Sequence, residues 1–333
     1  MTLHEVARLA GVSYATASRV MNGSDRTVRP ANADRVRAAA AEVGYRPDLS
    51  AQAIARGSTR TAALVVGAVD DPYFLLIAAG ATEAAEAAGL ILTMAVADRS
   101  PELEVRIVRT LRGQRPHAIV IAGSRLDGSG AGSELSAELA AYRRAGGRVA
   151  LISQAGLPFA TLAVDNHGGA RRLALALTGL GYRRFALLHG GDRIHTSAER
   201  RRGLTDGLRE AGLEPVLAPA ADFSRDGGRE GARRILATAE PVEVIVAVTD
   251  AMAIGVMSAL RDAGVAPGRD VAVAGFDNID AASDVTPALT TVRVPLRDAG
   301  RRAVELALSG DHDTVVPVPV EVVLRASTPG TGS

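Results

Sequence analysis

Residues Thr2 to Asn22 read T-L-H-E-V-A-R-L-A-G-V-S-Y-A-T-A-S-R-V-M-N and place a capped helix, a glycine turn and a second capped helix in one short unit. The Thr2 hydroxyl caps the first helix, and Glu5, three residues on, reaches back to the Thr2 amide. The apolar residues Leu3, Val6, Ala7 and Ala10 then fall on one face. Gly11 supplies the turn and Ser13 caps the next helix. In that helix Ala17, Val20 and Met21 pack on the first, which leaves Tyr14, Ala15, Ser18 and Arg19 for a partner. The layout is that of a DNA-reading helix-turn-helix. An ordinary αα-hairpin is the alternative, and the polar, arginine-bearing second helix at the N-terminus favours DNA.

Charge points the same way. The 333 residues carry a formal net charge of only +1, unevenly distributed. Through residue 60, nine Arg stand against five acids, giving +4, and the remaining 29 Arg against 32 acids give −3. A basic head on a mildly acidic body suits a protein in which only the head meets phosphate. The chain contains no Lys, so all 38 basic residues are Arg, a bias that reflects coding composition more than function. With no Cys, disulfides, thiol catalysis and cysteine-ligated metals are excluded. No apolar run reaches the roughly 18 residues of a membrane span. Glu5 and Arg8 interrupt what would be a secretory apolar region, so a cytoplasmic, nucleoid-associated protein is expected.

A third helix is expected over 28–43, with Pro30 near its start and Gly44 past its end. Residues 46–60 form a separate piece in which 49–56 make a helix too short to be stable alone, hence a conditional one. From Thr61 apolar strands alternate with amphipathic helices. Strands are expected at 62–69, 90–97, 118–122 and 149–152, with helices around 74–88, 102–111 and 135–145. A second series follows: strands at 185–188, 216–218, 244–248 and 271–276, and helices near 168–180, 199–211, 229–238 and 250–263. A strand at 289–292, a helix at 296–308 and a last strand around 316–324 close the fold. Fully apolar strands in βα alternation predict two parallel sheets covered on both faces, with a ligand cleft at their facing carboxyl edges. Chain crossings between the two halves make a hinge suited to closure. Nothing after Arg325 is expected to be structured.

Enzymatic chemistry has little support. There is no G-x-x-x-x-G-K, no G-x-G-x-x-G after a strand, and the glycines at 128, 130 and 132 lie in a polar loop. The six His show no metal-ligand spacing, so neither metal nor cofactor is expected. His189 follows an apolar strand and either lines the cleft, is structural, or is catalytic. Several Asp, at 70, 71, 165, 250 and 277, follow strands. Such carboxylates serve as acid–base catalysts or bind sugar hydroxyls without reaction. A sugar-processing enzyme and a sugar-binding transport receptor are therefore the rival readings. The receptor predicts an export signal and no basic headpiece.

Taken together, the motifs resemble the LacI/GalR family of bacterial transcriptional repressors from Thr2 to about Thr328. Besides the opening stretch they are G-Y-R-P-D at 44–48, D-P-Y-F at 71–74, D-N at 165–166 with G-G-A at 168–170, and the R-x-x-G of Arg200 to Gly203. Later come T-D-A-M-A-I-G at 249–255, V-A-G-F-D-N at 273–278 and P-A-L-T-T-V at 287–292.

The resemblance implies an N-terminal all-α helix-turn-helix headpiece, residues 1–45, and a hinge, 46–60. An α/β periplasmic-binding-protein-like core of two doubly wound parallel-sheet subdomains spans 61–328, and a disordered tail follows at 329–333. The first subdomain covers about 61–162 plus 293–322, and the second about 163–292 plus 323–328. A homodimer binding a pseudopalindromic operator in double-stranded DNA is implied, with a small effector, a sugar or related polyol, altering DNA affinity; much of the dimer surface is expected on the helix at 79–88. Tyr14, Ala15 and Arg19 fall where family members read bases, and Ser13, Thr16, Ser18 and Asn22 where they hold phosphates, with Thr2 beside them. Ala51 and Ile54 lie on the hinge helix, Ile54 as the apolar wedge in the minor groove. Asp48 stands where Asn is common, and a carboxylate near phosphate is mildly repulsive. For the effector cleft the carried-over residues are Asp71, Tyr73, Phe74, Ser124, Asp165, Arg200, Phe223, Asp250 and Asp277. Arg200 and Asp250 are the expected leading hydrogen-bond donor and acceptor.

Overall fold

The computed structural model describes residues 2–21, 28–46, 58–123, 131–153 and 156–331. The hinge positions Asp48, Ala51 and Ile54, the phosphate-contact position Asn22 and the cleft position Ser124 lie outside the described residues. The chain divides into two units, Met1–Arg60 and Thr61–Ser333.

In the first unit, α1 (Leu3–Ala10), α2 (Tyr14–Met21) and α3 (Pro30–Glu42) enclose a small core of Val6, Ala7, Ala10, Ala17, Val20, Ala33, Val36, Ala39 and Ala40. The capping box is formed, with Thr2 N–H donating to Glu5 Oε2 at 2.7 Å and Glu5 N–H to Thr2 Oγ1 at 3.4 Å. Gly11 sits at φ 62° and closes α1, a left-handed geometry that favours glycine.

The second unit is built on a six-stranded sheet of order β10-β5-β4-β3-β1-β2, with every pair parallel. Its strands are β1 (Thr61–Val66), β2 (Ile91–Val96), β3 (Ala118–Ala122), β4 (Arg148–Ser153), β5 (Ala160–Val164) and β10 (Val315–Val318). The order reverses between β1 and β3, which creates a crevice at their carboxyl ends. Four helices cover this sheet: α4 (Pro72–Ala87), α5 (Pro101–Gln114), α6 (Ala131–Arg144) and α12 (Leu296–Ser309).

A second parallel sheet, β6-β7-β8 (Phe185–Leu188, Val244–Ala247, Ala272–Ala274), carries α7 (Asn166–Gly179), α8 (His195–Glu210), α9 (Arg225–Leu236) and α10 (Asp250–Asp262). The short α11 (Ala281–Asp284) follows it. Two strands, β9 (Thr291–Arg293) and β11 (Glu321–Val323), pair antiparallel beside it.

Four expectations are corrected. The strand over 216–218 is reduced to single bridges, Ala186 to Leu217 and His189 to Ala220, because Pro215 and Pro219 flank it and bring no ladder donor. A strand not anticipated, β5, fills a place in the first sheet. The single strand over 316–324 breaks at Pro319, where the chain leaves β10 in the first sheet and enters β11 beside the second. The C-terminal stretch is not a tail through its described residues. Ser327, fully buried, donates to Val273 O at 2.6 Å and accepts from Thr290 N–H at 2.8 Å. Thr331 N–H reaches Leu180 O at 3.1 Å and Gly330 N–H reaches the Tyr182 hydroxyl at 3.2 Å. These residues supply donors and acceptors to backbone that would otherwise be buried unpaired.

The chain crosses between the two sheets after β5, after β9 and after β10, and the crossings are laced together. Asp165 N–H bonds Val318 O, and Arg172 on α7 donates to Val320 O at 3.2 Å. Helix pairs on both lobes meet at glycines. A Cβ on Gly80 of α4 would stand 1.8 Å from Arg297 O on α12, and one on Gly300 would stand 2.0 Å from Ile77 O. The pair α9 and α10 repeats the device with Gly228 and Gly255. Because the obstructing atoms are backbone, a methyl group has to separate whole helices. Gly80→Ala is expected to cost about 3 kcal/mol, the upper part of the overpacking range. Gly113→Ala, where a Cβ meets nothing within 4 Å, is expected to leave the thermal midpoint unchanged or raised; thermal melts of both variants check this.

Candidate functional site

Two surfaces gather the chemistry. On the first unit, Ser13 caps α2, accepting from Thr16 N–H at 3.1 Å, with the two hydroxyls 2.9 Å apart. Ala17 and Val20 are buried against α1 and α3, so the opposite side of α2 presents Tyr14, Ala15 and Arg19 outward, with Thr16 and Ser18 half-buried beside them. The Tyr14 ring stacks on His4 of α1, centroids 4.4 Å apart, which orients it. A capped helix N-terminus with exposed hydroxyls favours phosphate. Arg19 adds a planar fork able to grip guanine.

The second surface is the crevice between the lobes, formed by residues that follow the carboxyl ends of strands. At its centre is Arg200, from α8, only 2% exposed. Its Nε donates to Asn166 Oδ1 at 2.9 Å and Nη1 to Val248 O at 2.8 Å. Nη2 lies 2.8 Å from Asp277 Oδ1, and the guanidinium covers the Phe276 ring at 3.9 Å. The Asp277 contact is an ion pair without hydrogen-bond alignment, so Oδ1 is buried with no aligned donor. Asp277 is also held at φ 121°, a region L-residues seldom occupy and one that clusters at functional sites. Burial pushes its carboxyl up to about 8, against the pull of Arg200 and with the help of Asp250 and Asp71.

Around this centre the cavity is lined by Asp71, Tyr73, Phe74, Gly123, Ile152, Val164, Asn166, Thr196, Phe223 and Thr249. It opens through Phe74, Gly123 and Phe223 into a chamber of about 290 Å³ bounded by Gly67, Arg99, Glu104, Leu135 and Ile194. Asp71 caps α4 through Tyr73 N–H at 3.1 Å and pairs with Arg99 at 3.1 Å. Burial raises the Tyr73 phenol well above its ordinary range, with Asp277 adding to the effect, so it is a neutral donor at any physiological pH.

Asp71, Tyr73, Phe74, Arg200, Phe223 and Asp277 are thus brought together, and two of the carried-over acids are not. Asp165 caps α7 through Gly168 N–H at 2.9 Å and is held by Arg172; its neighbour Asn166 is the residue in the cavity. The D-N-x-G spacing was legible as a cap. Asp250 is fully buried and does not line the cavity. Its oxygens are taken by the Thr291 hydroxyl at 2.6 Å and Ile279 N–H at 3.0 Å. Burial pushes its carboxyl up to about 6 despite those bonds. It braces the Asp277 loop from behind the lining. Arg99 and Thr196, which sequence patterns did not single out, stand in the lining. Their positions after β2 and at the start of α8 are the only signal. His189 is buried, with Nε2 3.2 Å from Ala218 O and Nδ1 accepting from Gly191 N–H; it shapes its turn and lies outside the lining. No metal-ligand cluster occurs among the described residues, and no helix there is long and apolar enough to cross a membrane.

An exposed helix suited to reading DNA, followed in the chain by a two-lobed, carboxyl-edge cleft, is the layout of a DNA-binding regulator with a ligand-binding core. Residues 2–48 match the model for bacterial regulatory proteins of the lacI family, and residues 174–328 match that of a periplasmic binding protein-like domain. The chain is 31% identical to the HTH-type transcriptional regulator GalS of Salmonella typhimurium, over 95% of this chain and 91% of that protein. It is likewise 31% identical to the HTH-type transcriptional regulator CelR of Thermobifida fusca, over 99% and 98%. Among solved structures it is similar to the Lac repressor dimer bound to operator and the anti-inducer ONPF, with 26% identity, TM-score 0.84, and 98% and 99% of the two chains covered. The CelR–cellobiose complex has 28% identity and a TM-score of 0.71, over 98% and 99%. The chain belongs to the LacI family.

The two raised carboxyls make the core sensitive to alkali. In the unfolded chain they ionise near pH 4, whereas in the fold they retain protons toward pH 6 and pH 8. The folded state therefore binds more protons across that window, and its stability falls as pH rises. Urea unfolding at pH 6 and pH 8 is expected to show a loss approaching about 1.4 kcal/mol per pH unit for one proton. Asp277→Asn removes the upper part of that dependence.

Proposed function

We propose that the chain is a dimeric, effector-controlled repressor whose paired headpieces bind a pseudopalindromic operator. A small neutral sugar or related polyol in the cleft changes its DNA affinity, and no catalytic step is involved. The observation that carries the DNA half is the outward face of α2, with Tyr14, Ala15 and Arg19 exposed over a capped N-terminus. Arg19 contacts guanine, and Ala15 offers thymine only a methyl group. Ser13, Thr16 and Ser18, with Asn22 and Thr2, hold phosphates, and Ile54, with Ala51 in the same hinge segment of the sequence, is the minor-groove wedge.

The occupancy of the guanidinium donors supports a neutral ligand. Arg200 is already engaged with Asn166, Val248 and Asp277, and Arg99 with Asp71, so these two lining side chains are committed to the protein and not to a phosphate or sugar acid. The Tyr73 hydroxyl and the Asn166 amide in the lining offer partners to sugar hydroxyls, and Phe74 and Phe223 offer apolar ring faces. The cellobiose held by the related CelR structure is of this class. The dimer surface falls on the first lobe. There the edge strand β2 exposes Ile91 at 69% and Met94 at 44%, and Leu75 of α4 is exposed as well, apolar surface of the kind a partner covers.

DNA and ligand affinities are then coupled reciprocally. Arg19→Ala is expected to abolish preference for a DNA site selected by the wild-type protein from a random palindromic library, while thermal stabilisation by sugars stays unchanged. Native selectivity in that variant would sink the assignment of α2. A thermal-shift panel of cellobiose, galactose, other sugars and nucleosides tests the ligand class, and turnover of any of them would revive an enzymatic reading.

A further inference from the structure

Across the mouth of the cleft, Arg99 is the one cation that touches both lobes among the described lining residues. Its Nη2 is tied to Asp71 on the first lobe at 3.1 Å, and its guanidinium lies 5.4 Å from the centroid of Phe223 on the second. Three features indicate that this bridge is built. First, Asp98 and Arg99 are successive non-glycine residues at φ 48° and 52°. The left-handed region is disfavoured for side-chain-bearing residues and persists where the surroundings enforce it. Unlike Arg115, which ends α5 in that conformation, they end no helix. Second, the Arg99 backbone is fixed by its N–H to Gly67 O at 2.8 Å. Third, both ends of the bridge rest against glycines. A Cβ on Gly190 would stand 2.2 Å from the Phe223 ring, and one on Gly67 would lie 2.9 Å from the Phe74 ring and 3.7 Å from the Arg99 stem.

We propose that Arg99 is a cross-cleft clasp, held to Asp71 and docked on Phe223, that keeps the two lobes closed over the ligand chamber and thereby controls entry and escape. The clasp adds to the effector reading of the same cleft and rests on it for its biological use. Its mechanical role is independent of which ligand binds. Arg99 is on this account a positioning residue: it sets the closure angle, and the polar centre at Arg200 and Asp277 recognises the ligand.

The test is a double-mutant cycle read by hydrogen exchange on the ligand-free full-length protein. R99Q and F223L each remove one partner. A partly exposed cation–π contact changes an opening equilibrium by about two- to fivefold. Each single variant is expected to speed exchange by that factor at cleft-edge amides on both lobes, at Gly123 as well as Gly190 and Gly191. The double variant is expected to be no faster than the faster single one, because the contact is already gone. R99K, which keeps the charge but not the planar stack, is expected to fall between. Factors that multiply in the double variant, or faster exchange confined to the lobe carrying each substitution, would overturn the clasp. A wild-type protein that no sugar in the thermal-shift panel stabilises would overturn the effector reading instead and leave this exchange result to stand by itself.

Discussion

A guanidinium removed from water must be given polar partners, and the ligand-binding core is organised around meeting that demand for Arg200. Leaving such a charge uncompensated costs several kcal/mol. Arg200 draws its partners from Asn166 at the start of α7, Val248 after β7, and Asp277 and Phe276 after β8. These elements come from separate stretches of chain and are fixed relative to one another by one side chain. Asp250 extends the arrangement by holding the Asp277 loop through Ile279 N–H and Thr291. The unusual backbone of Asp277 is thereby over-determined.

Around that centre the architecture combines stiffness with a joint. Helices α4 and α12, and α9 and α10, meet backbone to backbone at glycines, so each lobe moves as a block. The chain passes between the lobes after β5, β9 and β10, and those crossings are bonded to one another. Stiff lobes on a narrow laced joint favour a closing motion over internal deformation. The side chains that span the mouth are Asp71, Arg99 and Phe223.

Much of this was legible in the sequence where the signal is local. The capping box at Thr2 and Glu5, the Gly11 turn, the Ser13 cap and the βα alternation all follow from spacing within a few residues. The misreadings have physical causes. Residues 216–218 carry an apolar run, but flanking prolines deny it a ladder. The run at 316–324 is continuous in hydrophobicity and yet serves two sheets. The residues after Arg325 look like a polar tail because their hydroxyls satisfy distant backbone at Val273 and Thr290. Asp165 and Asp250 illustrate a limit of strand-end carboxylates as a signal. A carboxylate that caps a helix or braces a loop has the same position in sequence as one that meets a ligand.

By itself the sequence determined a helix-turn-helix with Tyr14, Ala15 and Arg19 on its free face, a parallel α/β core and a polar cleft at its strand ends, because caps, periodicity and turn residues act over a few neighbouring positions. The tertiary structure alone decided which polar side chains the cleft retains. Asn166 enters it while Asp165 caps a helix, Asp277 faces it while Asp250 is consumed as a brace, and Arg99 reaches Phe223 across the mouth. Apart from the Asp165 cap, those outcomes depend on desolvation and on partners tens to more than a hundred residues away, as between Asp250 and Thr291 and between Arg99 and Phe223, and no local pattern encodes that competition for hydrogen bonds and charge.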